Sequence, residues 1–391
     1  MWFPVSVKGV RLVVGKCFRG CQERCYSQTV VETDHTTLST IPPNSTIFSL
    51  IQPTGKIHLG NYFGAIKVWR QISDIISGSP LLSGNSKLIF GTADLHAITV
   101  PQEPSLLRER RVEAMASLLA SGIDPKNVIL FHQSSVPQHS ELFWILSTFT
   151  SMGSLNRMTQ FKSKAHIDER SALTIQETIG VAKLGLFAYP VLQAADILIY
   201  KSTHVPVGQD QTQHLELTRT IANSFNNFVK KEYFQLPKTL LAPSKKICSL
   251  KEPLKKMSKS DPIEQSKIMI TEEPDSIRLK MHKAMTDSIE GKIYFDPVER
   301  PGISNLITII SAVTDKTIQE IVMEVEFFTK KELKDYTAEL LIKELAEPRI
   351  KYNEYMKNTD LLNKIAKEGS ERAKSIADVN LKEIKKLMGF L

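Results

Sequence analysis

Chemistry-bearing side chains gather at three places along this sequence. The first is Pro53-Thr54-Gly55-Lys56-Ile57-His58-Leu59-Gly60-Asn61, which follows the apolar run Ile47–Ile51. A strand that hands over to a helix at the carboxyl edge of a parallel sheet is where doubly wound folds bind nucleotides. Free N–H groups and the helix dipole favour phosphate there. His58 and Asn61 offer donors to phosphate oxygens, and Gly60 leaves the backbone bare for a flat adenine ring. The second place is Lys256-Met257-Ser258-Lys259-Ser260, with Lys256 lying 198 residues beyond His58. Between Lys245 and Ser260 stand six lysines (245, 246, 251, 255, 256, 259) against a single acid, Glu252. Such a cluster reads by itself equally as a solvated loop or a nonspecific nucleic-acid contact. The spacing Lys256-x-x-Lys259 between serines adds a chemical reading: two ammonium groups that meet the charge growing on a departing pyrophosphate. The third place is Tyr189–Tyr200, where Tyr189, Gln193 and Asp196 share one helix face. An aspartate in so apolar a run is costly without a partner. It reads either as an acceptor for a donor on a ligand, or as a structural cap or buried pair with Lys201, Lys183 or an arginine.

The elements around these residues alternate in type. Ile47–Ile51, Leu88–Phe90 and Val128–Phe131 read as strands, the second ending at Gly91. A helix is expected from about Leu59 to Ile76, and another over Ser105–Ser121 with Ser105 as N-cap and Gly122 as stop. This order predicts α/β, a Rossmann-like doubly wound parallel sheet with helices on both faces. Beyond residue 261 only helical periodicity persists, over Ile303–Val313, Ile318–Phe328, Leu333–Leu345 and Leu361–Leu391. The expected division is therefore 1–44 as targeting segment and linker, 45–260 as the nucleotide-binding catalytic domain, and 261–391 as an all-helical C-terminal domain.

The composition is that of a globular chain, with 42% hydrophobic and 24% charged residues. No apolar run reaches the length of a transmembrane helix. A net charge of +8 points weakly to a polyanionic partner. Up to Tyr26 the chain carries Lys8, Arg11, Lys16, Arg19 and Arg24 among apolar residues, with Glu23 as its one acid. That is the composition of an organelle transit peptide, as opposed to a basic tail. Residues 27–44, ending Ile41-Pro42-Pro43-Asn44, read as the linker. Cys17, Cys21 and Cys25 recur at helical spacing without a CxxC pair or nearby histidine, so no metal site is expected. Cys248 reads as a buried free thiol.

The first two runs resemble the "HIGH" and "KMSKS" signatures of class I aminoacyl-tRNA synthetases. The resemblance narrows with Phe48–Gly55, Asp94-Leu-His96-Ala-Ile-Thr, Arg157–Lys162, Tyr189 with Ala-Ala-Asp196-Ile-Leu, and Val205–Gln211 followed by His214 and Arg219. Collinear from about Thr46 to the C-terminus, these are similar to the bacterial and organellar tryptophanyl-tRNA synthetases. The resemblance implies ATP with Mg2+, L-tryptophan and tRNA(Trp) as ligands and a homodimer; the lack of a long apolar run predicts no membrane, and the transit-like start adds the mitochondrial matrix. It places His58, Asn61, Lys256 and Lys259 in catalysis. Gln52, Gly60, Asn61, Gly208, Asp210, Lys256, Met257, Ser258 and Lys259 fall to ATP, with Lys162 or Lys164 as further phosphate contacts. Phe48, Gln52, His96, Tyr189, Gln193, Asp196 and Gln211 fall to tryptophan, Asp196 accepting the indole N–H. The helical C-terminal domain would read the anticodon, and no protein-held metal is implied. The chain departs from the bacterial pattern at Leu50, Gln193 and Gln209. A tyrosyl-tRNA synthetase, a nucleotidylyltransferase and an inactive relative are the competing readings; the Ile51–Pro53 and Val205–Gln211 runs, the helical third, and intact His58, Lys256 and Lys259 weigh against them respectively.

Overall fold

The computed structural model describes residues 5–7, 10–12, 36–38, 41–83, 86–158, 183–206, 208, 211–241, 245–259 and 261–391. The chain divides into two compact units, Met1–Asp34 and His35–Leu391. In the first, strands β1 (Val5–Val7) and β2 (Val10–Leu12) pair antiparallel. Cys17, Cys21 and Cys25 lie outside the described residues.

In the second unit, six parallel strands form one sheet: β3 (Thr36–Thr37), β4 (Thr46–Ile51), β5 (Lys87–Thr92), β6 (Ile129–His132), β7 (His204–Pro206) and β8 (Lys238–Leu241). Their spatial order is β3-β8-β7-β4-β5-β6. The chain builds outward from β4 through β5 to β6, then returns to lay β7 on the other side of β4. This reversal is the topological switch point of a doubly wound sheet, beside which ligands bind. The Pro53–Asn61 turn leaves β4 at that point. The central strands β4, β5 and β6 carry the apolar runs Ile47–Phe48, Leu88–Phe90 and Ile129–Phe131, as strands covered by helices on both faces do. The stretch read as linker contributes β3 to the sheet edge, and Ile41 is buried in the core.

Several local expectations need correction. β5 runs through Gly91 to Thr92. The first long helix is three pieces: α1 (Leu59–Asn61), a π turn (Tyr62–Ile66) and α2 (Lys67–Gly78). After α3 (Asp94–Ala97) comes α4 (Pro104–Ala120), which starts one residue earlier than expected. Its N-cap is Glu103, whose carboxylate accepts from the N–H groups of Ser105 and Leu106. A carboxylate beside the positive end of the dipole outcompetes the serine that follows it. Cys248 is half-buried, at a bridge to Lys256. The remaining helices that frame the site are α5 (Gln138–Ser147), α6 (Leu184–Leu198) and α7 (Thr212–Val229).

After residue 261 come α8 (Pro274–His282), α9 (Pro301–Thr314), α10 (Ile318–Val325), α11 (Lys330–Met356) and α12 (Thr359–Leu387). Capping boxes Thr317/Glu320 and Thr329/Glu332 start α10 and α11, each satisfying two helix-end N–H groups. These helices share one apolar core with the sheet, in which Ile47, Leu88 and Phe90 join Ile303, Leu306 and Leu341. α12 crosses β6 so closely that a Cβ added at Gly369 would stand 1.9 Å from the Leu130 carbonyl oxygen. Buried Ala366, Ala373 and Ala377 continue that narrow face.

Gly369→Ala is therefore expected to lower stability by about 2–3 kcal/mol through overpacking against backbone, despite alanine's better helix propensity. Gly64, with nothing within 4 Å of an added Cβ, is the control. Gly64→Ala is expected to leave the melting temperature unchanged or slightly raised. Thermal unfolding of both variants checks the pair.

Candidate active site

Two turns far apart in sequence are joined by backbone. The His58 turn makes an antiparallel bridge to Met269, with the Leu59 N–H donating to Ile268 and the Ile270 N–H to Ile57, at 3.0 and 2.8 Å. His58 is also the N-cap of α1: its Nδ1 accepts from the Gly60 N–H at 3.0 Å. An imidazole that accepts at Nδ1 carries its proton at Nε2, so His58 presents a donor. Burial, then the charges of Lys256, Lys259 and Lys267, lower its pKa to about 4, so it is neutral at pH 7. A Cβ at Gly60 would lie 2.8 Å from the His58 ring. The bare backbone expected to receive adenine is thus covered by the imidazole and, further off, by Met257.

Met257 is buried, its N–H bonded to the Ile247 carbonyl at 3.0 Å, and it anchors the basic loop in the core. Around it Lys256 and Ser258 are exposed. The Lys259 ammonium donates to the Thr54 carbonyl, which closes the loop over the first turn. Gly55 sits beneath it with φ +88°, a conformation that glycine adopts without strain.

The second cluster lies at the carboxyl ends of β5 and β6. Asp196, 1% exposed, is held by three side chains. Gln133 Nε2 donates to both its oxygens at 2.8 Å, His139 Nδ1 lies 2.6 Å from Oδ1, and His96 Nε2 lies 2.8 Å from Oδ2. Burial alone would raise the Asp196 pKa; the hydrogen bonds from His139 and His96 prevail and lower it to about 2. His139 Nε2 in turn meets the Tyr200 hydroxyl at 2.8 Å, and Tyr200 stacks on Phe48 with centroids 5.5 Å apart. Tyr189 stands edge-on to His96 and reaches His214 Nε2 at 3.4 Å. His214 Nδ1 meets Gln211 Oε1 at 3.0 Å, and Gln193 reaches the same oxygen at 3.5 Å. The result is a fixed, buried anion beside which the rings of Tyr189, Tyr200 and Phe48 pack, with Gln211 and Gln193 joined to the cluster through His214.

The family described as tRNA synthetases class I (W and Y) matches residues 43–346. The mitochondrial tryptophan–tRNA ligase of Saccharomyces cerevisiae is 50% identical over 352 residues, covering 89% of this chain and 91% of that protein. The mitochondrial tryptophan–tRNA ligase of Schizosaccharomyces pombe is 44% identical, covering 90% and 97%. The chain belongs to the tryptophanyl branch of the class I tRNA synthetases. Its fold agrees: the crystal structure of the tryptophanyl-tRNA synthetase of Campylobacter jejuni, complexed with ADP and tryptophan, superimposes with a TM-score of 0.68. That protein is 32% identical, with 88% of this chain and 99% of that one covered.

Within this synthetase fold, His58, Gly60, Met257 and Lys259 come together as one group, and Phe48, His96, Tyr189, Gln193, Asp196 and Gln211 as another. Gln52 is exposed at the end of β4, and Asn61 lies part-buried in α1. Gly208 accepts the Gln211 N–H at 3.0 Å. Asp210, Gln209, Ser260, Lys162 and Lys164 lie outside the described residues. Neither Lys183 nor Lys201 partners Asp196; Lys201 pairs with Glu383 at 3.1 Å. Gln133 and His139 were not among the expected site residues. Their one sequence signal is position: Gln133 is the first residue past β6, at the sheet edge where doubly wound folds place ligands.

The His58 pKa yields a pH prediction. A folded-state value of about 4 lies below the ordinary 6.5, so between these the unfolded chain binds a proton that the folded chain refuses. Stability is full above pH 6.5 and falls as pH drops toward 4. His58→Asn keeps a good N-cap without a titrating ring. Melting curves from pH 7.5 to 4 are expected to show a slope reduced by roughly a third to a half. The remainder belongs to His132, which burial and then Arg111 also lower to about 4, to His204, which burial and then Lys238 lower, and to carboxylates held low in the fold such as Asp196. An unchanged slope would exclude His58 as a contributor.

Proposed function

We propose that this synthetase activates L-tryptophan with ATP and transfers it to tRNA(Trp) for mitochondrial translation. The observation that carries the site assignment is Asp196, an ionised acceptor buried beside the rings of Tyr189, Tyr200 and Phe48. Its Oδ2, on the His96 and Tyr189 side, accepts the indole N–H, while Phe48 and Tyr189 bound the ring. An amino acid without that donor sets an apolar edge or a second acceptor against an ionised carboxylate, and this mismatch discriminates without an editing site. Gln193 and Gln211, together with Gln52 at the mouth, hold the amino and carboxylate groups.

ATP lies across the joined turns, with its ribose toward Gly208 and Asp210 and adenine toward Met257. A tryptophan carboxylate oxygen attacks the α-phosphorus, the bond to the bridging oxygen breaks, and its electron pair leaves on pyrophosphate. Lys256, Ser258 and Lys259 meet that charge, while the neutral His58 Nε2–H and Asn61 donate to phosphate oxygens without repelling the lysines. Water is kept from the mixed anhydride by the closed loop. In the second step a terminal ribose hydroxyl of the tRNA attacks the activated carbonyl and AMP leaves. The donors gathered here, ammonium and imidazole N–H groups, do not fit a resident Mg2+, which takes oxygen ligands. Among the described residues no cluster of His, Cys, Asp and Glu could hold a metal. Mg2+ would arrive on the nucleotide, held by the oxygens of its phosphates.

Residues 261–391 serve as the anticodon-binding part, and the Lys382–Lys386 stretch supplies positive charge for it. The basic, acid-poor start up to Tyr26 carries the address to the mitochondrial matrix. A homodimer formed near Arg111–Phe149 is supported by the exposed apolar side chains Trp144, Met152, Leu184 and Phe228 on α5–α7 and the segments between them, Trp144 being 72% exposed. Among the described residues no helix is long and apolar enough to cross a membrane.

ATP–pyrophosphate exchange tests the specificity. Tryptophan should support it, and tyrosine and phenylalanine should not; equal exchange with tyrosine contradicts the assignment. Asp196→Asn, close in shape but uncharged, is expected to raise KM for tryptophan at least about tenfold and KM for ATP less than about twofold. Equal rises would make Asp196 a structural residue only.

A further inference from the structure

Between the basic loop and the helical third runs a short strap, residues 267–273, that belongs to neither. Its first residue, Lys267, is only 7% exposed. Lys267 Nζ donates to the Lys259 carbonyl at 2.9 Å and to the Asp261 carbonyl at 2.7 Å. The carboxylates near it are both accessible to water: Glu264 stands 3.9 Å away and is largely exposed, and Asp261 feels the Lys267 charge without pairing with it closely. A buried ammonium spent on two main-chain carbonyls, with so little charge compensation, is expensive. What it secures is the backbone that carries Lys259.

The strap's middle is the piece already joined to the His58 turn through Ile268 and Ile270. Its far end is fastened in the helical part. Glu272 pairs with Lys280 of α8 at 2.8 Å, with both side chains nearly buried, and also accepts from the Met269 N–H at 3.2 Å. Arg349 of α11 donates to the Glu272 carbonyl at 3.0 Å. Lys267 thus hangs from a segment fixed at two other places, and from there it grips the loop that Lys259 closes onto Thr54.

We propose that Lys267 is a positioning residue for adenylate formation: it holds the Lys256–Ser260 loop closed so that Lys259 is delivered to the phosphates. Lys267 itself touches no substrate. Removing its grip leaves the loop attached at Met257, free to open, and takes nothing from the tryptophan pocket. The cost falls on the rate at saturating ATP. This rests on the assignment of the Lys256–Ser260 loop to the ATP phosphates.

The experiment is ATP–pyrophosphate exchange by the full chain with Lys267→Met and Lys267→Arg, beside Lys259→Met. Tryptophan binding without ATP and thermal unfolding are measured on each. Lys267→Met should lower kcat about tenfold or more, with the tryptophan Kd within twofold of the parent, and Lys267→Arg should recover most of the rate because it keeps a charged donor. An unchanged kcat for Lys267→Met while Lys259→Met is slow overturns the positioning role and leaves the loop assignment intact. An unchanged kcat for Lys259→Met overturns the loop assignment itself. A Lys267→Met protein that loses tryptophan binding and melting temperature together, and that arginine does not rescue, makes Lys267 a packing residue and overturns the proposal.

Discussion

The structure turns on a short antiparallel stitch between residues 57–59 and 268–270. It is a pair of main-chain hydrogen bonds, 3.0 and 2.8 Å long, between segments some 200 residues apart. Without it, the turn after β4 and the basic loop would be separate features of one surface. With it, the N-terminus of α1, the His58 imidazole and the Lys259 ammonium face one space. Because the bonds are main-chain, they place few demands on side-chain type, so residues 268–270 carry no visible motif. The charges then follow from position. His58 must be neutral in such company, and burial together with three lysines makes it so.

The amino-acid end obeys a different constraint. An ionised carboxylate 1% exposed survives only because Gln133, His139 and His96 serve its oxygens, and Tyr200 in turn closes the other side of His139. The network costs burial of five polar groups and fixes the acceptor in one orientation, which is what selective recognition of a single donor requires. Asp196, on α6, is tied by these bonds to the segments that leave β5 and β6, so the acceptor is fixed relative to the sheet.

Much of this was legible in the sequence, and the omissions have physical reasons. The strand after Thr46, the Pro53–Asn61 turn and the paired lysines are local patterns, readable because their chemistry depends on spacing along the chain. Asp196 was legible as an anomaly, a charge in an apolar run, but its partners come from residues 96, 133 and 139, brought to it by sheet topology alone. Propensity points to Ser105 as the N-cap of α4 because serine is a common cap, while the less common Glu103, two residues earlier, takes the place. Gly60 reads in the sequence as space for a ligand, whereas the atoms nearest its bare face are those of the chain's own His58. The packing of α12 on β6 was hidden because small residues such as Gly369 and Ala373 give little hydrophobic periodicity while permitting close approach.

The central claim is that His58 and Lys259 act on one ATP. A double-mutant cycle measures it: kcat/KM for ATP in pyrophosphate exchange for the parent, His58→Asn, Lys259→Met and the pair. Groups that share one phosphate chain couple, so the two losses should fall short of additivity by about 1 kcal/mol or more. Strict additivity would contradict the account, because it would mean that the two turns act on separate sites.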